Sequence, residues 1–185
     1  LGSLTVGVVG FARIGRGVAA RLRGFGCRVL ATDPFVPAAD IAAAGAEPVA
    51  PEVIPVEADV VTLHAPGNTL VVDEDWLATA APGLVLVNTA RAGLVDETAL
   101  ARALQNGRVA TYAADTLSTE AGGAESPLLA GTLADRVTVT PHTAAQTVQA
   151  VDLMGLGAVA AVRAVLAGGQ PEPAAVVVGR ERLLT

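Results

Sequence analysis

The chain has 185 residues, of which 52% are hydrophobic and only 3% are aromatic, and its formal net charge is −6. This length suits one domain, or one domain with extra segments, with a core built mainly from Val, Leu and Ala. No basic patch stands out, which argues against a nucleic-acid partner. Cys27 is the only cysteine, so no internal disulfide can form, and we expect a reducing, cytoplasmic location.

Apolar runs alternate with helical patterns along the whole chain. The first half predicts a strand at Leu4–Val9, a helix at Ile14–Phe25, a strand at Arg28–Thr32, a helix at Pro37–Ala44, a short strand at Val49, a helical turn at Pro51–Val56 and a strand at Asp59–Leu63. The second half predicts a helix at Asp73–Ala81, a strand at Leu84–Asn88, a helix at Glu97–Asn106, a strand at Val109–Ala114, a loop with a short turn at Ser118–Leu133, a strand at Val137–Thr140, a helix at Thr143–Leu166 and a last short strand at Val176–Val178. The alternation is typical of an α/β domain.

The predicted strands do not alternate between apolar and polar residues. Strands with this pattern are buried on both faces, as in a parallel sheet with helices on each side, so we expect a doubly wound α/β fold. The most apolar helix, Thr143–Leu166, is interrupted by Asp152, two glycines and Arg163. We expect it to be a core helix rather than a membrane span, and we expect no membrane partner.

A glycine-containing turn connects the first predicted strand to the first helix, with the sequence Gly10-Phe11-Ala12-Arg13-Ile14-Gly15. In this context Gly10 permits a tight turn and Gly15 lets the helix pack closely on the strand. The helix N-terminus then offers unpaired N–H groups to a pyrophosphate. Ala12 stands where the usual motif has its middle glycine, so a plain glycine turn remains the alternative.

A carboxylate ends the second predicted strand, because Asp33 lies eighteen residues after Gly15. At this position it can accept both hydroxyls of an adenine ribose and would repel a 2′-phosphate, which favours NAD over NADP. The alternative is that Asp33 only begins an Asp-Pro turn.

Three chemically active side chains, Arg91, Glu120 and His142, lie past the carboxyl ends of later strands, where doubly wound sheets bind ligands. Arg91 can hold a carboxylate in a bidentate grip, and His142 can exchange the proton that accompanies hydride transfer. Glu120 would favour the imidazolium form and orient the ring. Each has an ordinary alternative: a surface ion pair for Arg91, a polar loop position for Glu120 and a helix cap for His142.

The segments Val6–Gly15, Val87–Glu97, Ala114–Glu120 and Thr140–His142 strongly resemble the nucleotide-binding domain of the D-isomer-specific 2-hydroxyacid dehydrogenases. This resemblance extends from Leu4 to about Gly169. It implies an NAD-binding Rossmann domain over residues 1–169 and a C-terminal tail, residues 170–185, that is a possible remnant of a substrate domain. It also implies that Arg91, Glu120 and His142 are the catalytic arginine, glutamate and histidine.

The same resemblance assigns cofactor contacts. It places Gly10, Arg13, Ile14 and Gly15 at the pyrophosphate, Asp33 at the ribose, His64, Ala65 and Pro66 in the loop that lines the cofactor, Thr89, Ala90 and Asp115 around the nicotinamide ribose and carboxamide, and Ala144 at the carboxamide. No metal ligand is expected.

The chain departs from the family pattern at several positions. Ala12 and Ala92 replace glycines, Ala121 replaces a proline, and the loop Pro66–Val72 is about three residues shorter than the family's. Family members place this domain inside a second domain. We expect this chain to lack most of that second domain, and therefore to bind NAD but to turn over poorly alone.

The resemblance implies an NAD-dependent oxidoreductase that transfers a hydride between nicotinamide and C2 of a D-2-hydroxy acid or 2-oxo acid. It also implies a homodimer formed through the nucleotide-binding domain. Two alternatives remain open. One is an NAD(H)-sensing binding module of the co-repressor type, and the other is a Rossmann scaffold that has lost cofactor binding.

Overall fold

The structure is a computed structural model that describes residues 2–67, 69–121 and 125–172. Two compact units follow one another along the chain, Leu1–Pro141 and His142–Thr185. This boundary lies before the last predicted helix, whereas the sequence-based division was placed after it. The division into a domain of residues 1–169 and a tail of residues 170–185 stays a prediction, and most of that tail lies outside the described residues.

The first unit contains a seven-stranded sheet in which every strand pair is parallel. The strands are β1 (Thr5–Val9), β2 (Arg28–Thr32), β3 (Glu47–Pro48), β4 (Val60–Leu63), β5 (Leu84–Asn88), β6 (Val109–Ala114) and β7 (Val137–Val139). Their spatial order is β3-β2-β1-β4-β5-β6-β7. The predicted doubly wound α/β fold is therefore confirmed, and the possible strand at Val176–Val178 lies outside the described residues.

Helices connect these strands. They are α1 (Arg13–Gly24), α2 (Ala38–Ala43), α3 (Val53–Glu57), α4 (Glu74–Thr79) and α5 (Glu97–Gln105). A further helix, α6 (Val148–Leu166), follows β7 and belongs to the second unit. Between β6 and β7 the predicted loop contains three short 3-10 turns at Ser118–Ala121, Pro127–Leu129 and Gly131–Leu133.

Local chemistry explains where several helices begin. The Asp73 side chain accepts the Trp76 N–H at 2.8 Å and so caps α4. The Asp96 side chain accepts the N–H groups of Thr98 and Ala99, each at 2.9 Å, and caps α5 in the same way. These carboxylates satisfy amides that have no partner inside the helix.

Apolar side chains bury the sheet on both faces. The larger cluster packs the β4–β6 region against α4 and α5, with Leu63, Leu86 and Leu100 fully buried. The smaller cluster packs β1 and β2 against α1 and α2 around Phe11 and Ala19. Strand order reverses between β1 and β4, so the carboxyl ends of these strands open the crevice in which doubly wound folds bind ligands.

The last helix corrects two expectations. Helix α6 begins at Val148 rather than at Thr143, because the Thr147 hydroxyl caps it by accepting the Ala150 N–H at 3.1 Å. None of its described residues is buried, so the expectation of a core helix is wrong. The described part of its unit contains no other helix or strand that could bury its apolar side chains. By length and composition alone, with a mean hydropathy of 1.5, α6 could also cross a membrane.

Replacing Gly15 by alanine should destabilise the fold, because the new Cβ would lie 2.1 Å from the Gly10 carbonyl oxygen. We expect a loss of about 2 kcal/mol or more in the free energy of unfolding. Urea denaturation measures it. The matched control is Gly17→Ala in the same helix, where the nearest atom would be 3.5 Å away. This control should be neutral or stabilising by up to about 1 kcal/mol. Equal losses for both variants would contradict the close-approach argument.

Candidate cofactor and catalytic site

In the turn after β1, the Gly10 backbone lies so close to neighbouring backbone atoms that a side chain at this position would not fit. Gly10 has a φ of +90°, and its N–H donates to the Thr32 carbonyl at 2.9 Å. A Cβ at Gly10 would lie 2.5 Å from the backbone nitrogen of Ala65. Gly10 is therefore required both by its backbone conformation and by the loop that follows β4.

The N-terminus of α1 is open to an anion. Ala12 is its N-cap residue, and no side chain caps it within the described part of the chain. Ala12, Arg13 and Ile14 are all exposed, and the first turn carries no acidic residue. The unpaired N–H groups and the helix dipole at this end favour a phosphate.

The Asp33 carboxylate hydrogen-bonds two backbone segments, the glycine turn after β1 and the residues that follow Asp33 itself. Its Oδ2 accepts the Phe11 N–H at 2.6 Å, and its Oδ1 accepts the Phe35 N–H at 2.8 Å. The predicted Asp-Pro turn is thus present, and the same carboxylate also reaches the glycine turn. Each oxygen keeps a further lone pair for a ribose hydroxyl.

A cavity of about 670 Å³ lies beside these groups in the first unit. Its lining is mostly apolar and comes from Val9, Gly10, Thr32, Asp33, Pro34, Phe35, Val49, Pro51, Ala65, Pro66, Thr69, Val71 and Trp76. This volume falls within the ordinary range of ligand pockets, and one carboxylate among apolar walls suits an adenosine. The glycine turn after β1, the uncapped N-terminus of α1 and the cavity together fit the adenosine diphosphate half of NAD.

The loop after β4 contacts the end of β1 and also lines the cavity. The His64 N–H donates to the Val9 carbonyl at 2.7 Å, and the His64 Nε2 atom lies 3.0 Å from the Thr62 hydroxyl. Burial lowers the pKa of His64 below its ordinary value, so the neutral ring is favoured. Ala65 and Pro66 follow as lining residues of the cavity.

Asn88 organises the turn that presents Arg91. Asn88 is completely buried at the end of β5. Its Nδ2 donates to the Arg91 carbonyl at 2.9 Å, and its Oδ1 accepts the Ala90 N–H at 3.0 Å. Asn88 also hydrogen-bonds the hydroxyl of Tyr112, whose pKa is raised to about 12, mainly because the ring is buried. The Thr89–Ala90 segment is thereby held by a side chain beneath it.

Arg91 is exposed, and no carboxylate pairs with it among the residues that the structure describes. One guanidinium nitrogen donates to the Ala90 carbonyl at 2.7 Å. The shortened loop contacts its side chain, since a Cβ at Gly67 would lie 2.4 Å from the Arg91 Cβ. The surface ion-pair alternative is therefore not what the structure shows, and Arg91 retains donors for a ligand.

The loop after β6 carries Asp115 and Glu120. Asp115 is buried and accepts a short hydrogen bond from the Thr140 hydroxyl, which joins the ends of β6 and β7. Glu120 is exposed in the first 3-10 turn, where its Oε1 accepts the Leu117 N–H at 3.2 Å.

In the second unit, His142 is the first residue and Ala144 follows it two positions later. His142 has a φ of +53° and is the single described residue other than glycine in the left-handed region. Such a conformation is costly and often occurs at functional positions. Because Thr147 caps α6, the alternative that His142 caps this helix is wrong.

Sequence reasoning missed several contributors. Trp76, Val49 and Pro51 line the cavity without any local motif that marks them. Asn88 could have been found, because an asparagine three residues before the candidate arginine can hold the turn between them. In the described ranges, no group of three or more His, Cys, Asp or Glu side chains could hold a metal ion.

Comparison with known proteins places the chain in context. Residues 1–144 match the family model "D-isomer specific 2-hydroxyacid dehydrogenase, NAD binding domain". The chain is 41% identical to a D-3-phosphoglycerate dehydrogenase of Mycobacterium leprae over 167 residues, which cover 89% of this chain and 31% of that protein. It is 40% identical to a (S)-sulfolactate dehydrogenase of Chromohalobacter salexigens over 147 residues, covering 77% of this chain and 47% of that protein.

A solved structure is also similar. It is the D-lactate dehydrogenase of Aquifex aeolicus in complex with NAD and lactic acid, with a TM-score of 0.79 and 31% sequence identity. The similarity covers 90% of this chain and 54% of that one. The chain therefore spans between about a third and about half of the length of the relatives named here.

The lowered pKa of His64 predicts a pH-dependent stability. Because the folded state favours the neutral ring, its full stability is present above the ordinary pKa of 6.5 and is lost as the pH falls below it. His64→Gln removes the titrating ring and should flatten the fall in unfolding free energy as the pH drops below about 6.5. Urea denaturation across this range tests it. The difference between the two proteins should stay constant above about pH 7, and parallel curves throughout would contradict the prediction.

Proposed function

The chain belongs to the D-isomer specific 2-hydroxyacid dehydrogenase family, and on this premise we propose that the protein is an NAD-dependent oxidoreductase acting on a D-2-hydroxy acid or its 2-oxo acid. One observation carries the proposal. The loop His64–Gly67 touches the Gly10 turn at its start and the side chain of Arg91 at its end. A single short segment thus contacts both the Gly10 turn, where we propose that the cofactor binds, and Arg91. The Arg91 guanidinium has no carboxylate partner among the described residues.

In this proposal NAD supplies a hydride acceptor at its nicotinamide ring, and the protein supplies binding, orientation and proton transfer. The N-terminus of α1 binds the pyrophosphate and Asp33 binds the adenine ribose. Thr89, Ala90, Asp115 and Ala144 are the proposed contacts of the nicotinamide half.

The substrate's carboxylate and 2-oxo oxygen suit the planar guanidinium of Arg91, which can donate two parallel hydrogen bonds. His142 takes the hydroxyl proton on oxidation and returns it on reduction. Glu120 orients the His142 ring and so supports this exchange. The relatives named above act on different hydroxy acids, so the proposal extends to the class of substrate and not to one compound.

Two further features belong to the same proposal. We propose a cytoplasmic protein, which the single cysteine of the chain supports, because no internal disulfide can form. We also propose a homodimer, with no nucleic-acid or membrane partner, which the net charge of −6 supports with respect to nucleic acid. The NAD(H)-sensing alternative is not favoured, because the relatives named above are called dehydrogenases.

Cofactor binding should depend on Asp33. Asp33→Asn removes the charge that accepts the ribose hydroxyls, so the Kd for NADH should rise by about tenfold or more. Trp76 is the only tryptophan and lines the cavity, so energy transfer from Trp76 to bound NADH reports binding. Asp40→Asn, an exposed carboxylate of α2 outside the cavity lining, is the matched control and should leave the Kd unchanged. If the wild-type chain shows no energy transfer at millimolar NADH, the result would support the alternative of a Rossmann scaffold that has lost cofactor binding.

Turnover should depend on Arg91. In the whole gene product, Arg91→Lys should lower kcat/KM for 2-oxo acids by about a hundredfold while leaving the Kd for NADH unchanged, because lysine cannot make the bidentate contact. A panel that includes pyruvate, glyoxylate and 3-phosphohydroxypyruvate, followed by NADH absorbance, measures it.

The control for this substitution is Arg102→Lys, whose exposed guanidinium pairs with Glu74 at 3.1 Å on the outside of the domain. It should keep the wild-type kcat/KM. Wild-type turnover in Arg91→Lys would remove Arg91 from the proposed mechanism.

A further inference from the structure

A buried carboxylate that the proposed reaction does not use lies at the start of α5. Glu97 is the first residue of this helix and is only 7% exposed. Its neighbour Asp96 already caps the helix by accepting two backbone N–H groups. Glu97 is therefore not needed as a cap, and its side chain lies in the interior, where an unpaired charge would be costly.

Three donors surround this carboxylate. The Ser118 N–H donates to Oε1 at 2.7 Å, and the Ser118 hydroxyl donates to Oε2 at 2.7 Å. The Ser126 hydroxyl donates a short hydrogen bond to the same Oε2. All three come from the loop after β6, and the two serines flank Glu120 in sequence. One buried side chain thus holds both ends of the segment that carries the candidate catalytic glutamate.

On its other side Glu97 continues the segment of Arg91. A 3-10 turn at Ala92–Leu94 connects them, and Leu94 and Val95 are buried in the core. The Asp96 N–H donates to the Val72 carbonyl at 2.9 Å, which fixes the chain just before α5. The backbone between Arg91 and Glu97 is therefore well anchored, and the loop of Glu120 is attached to it through one side chain.

We propose that Glu97 is a positioning residue, which sets the place of Glu120 relative to Arg91 by holding Ser118 and Ser126. This inference rests on the proposed function for the roles of Glu120 and Arg91. Glu120 itself is exposed and its carboxylate contacts the Leu117 N–H at a longer 3.2 Å. The backbone of its turn sets where the Glu120 side chain starts, and the Ser118 N–H is the backbone group of that turn that Glu97 binds.

A competing explanation is that apolar burial alone holds the loop. Leu117 is 5% exposed and Leu128 is 1% exposed, and both belong to the large core cluster. Glu97 would then only satisfy the two hydroxyl groups and the Ser118 N–H. The two explanations differ in what happens to the loop amides when the carboxylate is removed while both leucines remain.

Hydrogen exchange measured on the 185-residue chain separates them. Glu97→Ala should accelerate exchange of the backbone amides of residues 116–121 by about tenfold or more, because a charge-assisted hydrogen bond is lost. Glu97→Gln should restore most of the protection, since its amide oxygen still accepts from Ser118 N–H and the hydroxyls can rotate to accept from its NH₂ group.

The matched control is Asp59→Ala. Asp59 also holds a backbone N–H, that of Thr5 at 2.8 Å, but at the amino-terminal ends of the central strands β1 and β4. It should leave exchange of residues 116–121 unchanged. Unchanged exchange in Glu97→Ala, or equal acceleration in Asp59→Ala, would overturn the proposal. If Glu97→Ala does not fold, the double variant Ser118→Ala/Ser126→Ala, which removes two of the three donors, replaces it, and exchange no faster than in the wild type would count against the proposal.

Kinetics of the whole gene product add a readout that a purely structural role would not move. Glu97→Ala should lower kcat for a 2-oxo acid by about tenfold or more while KM for NADH stays within about twofold, and Glu97→Gln should recover most of kcat. If the wild type reduces a 2-oxo acid and Glu97→Ala keeps its kcat, the positioning role is wrong although the proposed function stands. If the wild type reduces none, the proposed function fails, and the exchange experiment still decides whether Glu97 holds the loop.

Discussion

The close approach of two backbone segments at the reversal point of the sheet is the constraint on which the rest of the site depends. Gly10 contacts His64 and Ala65 with no room for a Cβ, and Gly15 contacts the Gly10 carbonyl in the same way. These contacts place the N-terminus of α1 directly at the carboxyl end of β1. They also place the loop after β4 between the glycine turn and Arg91. A larger residue at either glycine would separate elements that the site needs together.

Side chains that bind backbone groups hold the remaining parts of the site. Asp33 holds the glycine turn, Asn88 holds the turn of Arg91, and Glu97 holds the loop of Glu120. Each is a polar side chain, half-buried or buried, that follows or faces the end of a strand. Because loops lack the regular hydrogen bonds of a sheet, such contacts help to place the exposed candidate side chains that these loops carry. The exposed groups Arg91 and Glu120 thus depend on partners beneath them.

Much of the first unit could be predicted because its signals are local. The strands β2, β5 and β6 have the bounds that the apolar runs indicate, and Asp33 and Gly10 were recognisable from their spacing along one strand, turn and helix. The start of α6 was predicted five residues early, because apolar periodicity continues through Thr143–Gln146 while the cap at Thr147 sets the beginning. Whether α6 is buried could not be inferred from the sequence, because an apolar helix sequence does not indicate which surface packs against it.

The sequence alone determined the alternation of strands and helices, the glycine turn with its following carboxylate, and the identity of the candidate catalytic side chains. The first two follow from residue type and short spacing, which set the local backbone structure. The third follows from the position of each side chain past the end of a predicted strand and from the family resemblance. Only the tertiary structure decided that Gly67 packs on Arg91, that Trp76 lines the cavity, and that Glu97 binds two serines 21 and 29 residues further along the chain. Such contacts form between segments that are distant in sequence and meet only after folding. A local sequence pattern therefore does not predict which loop a buried carboxylate will contact.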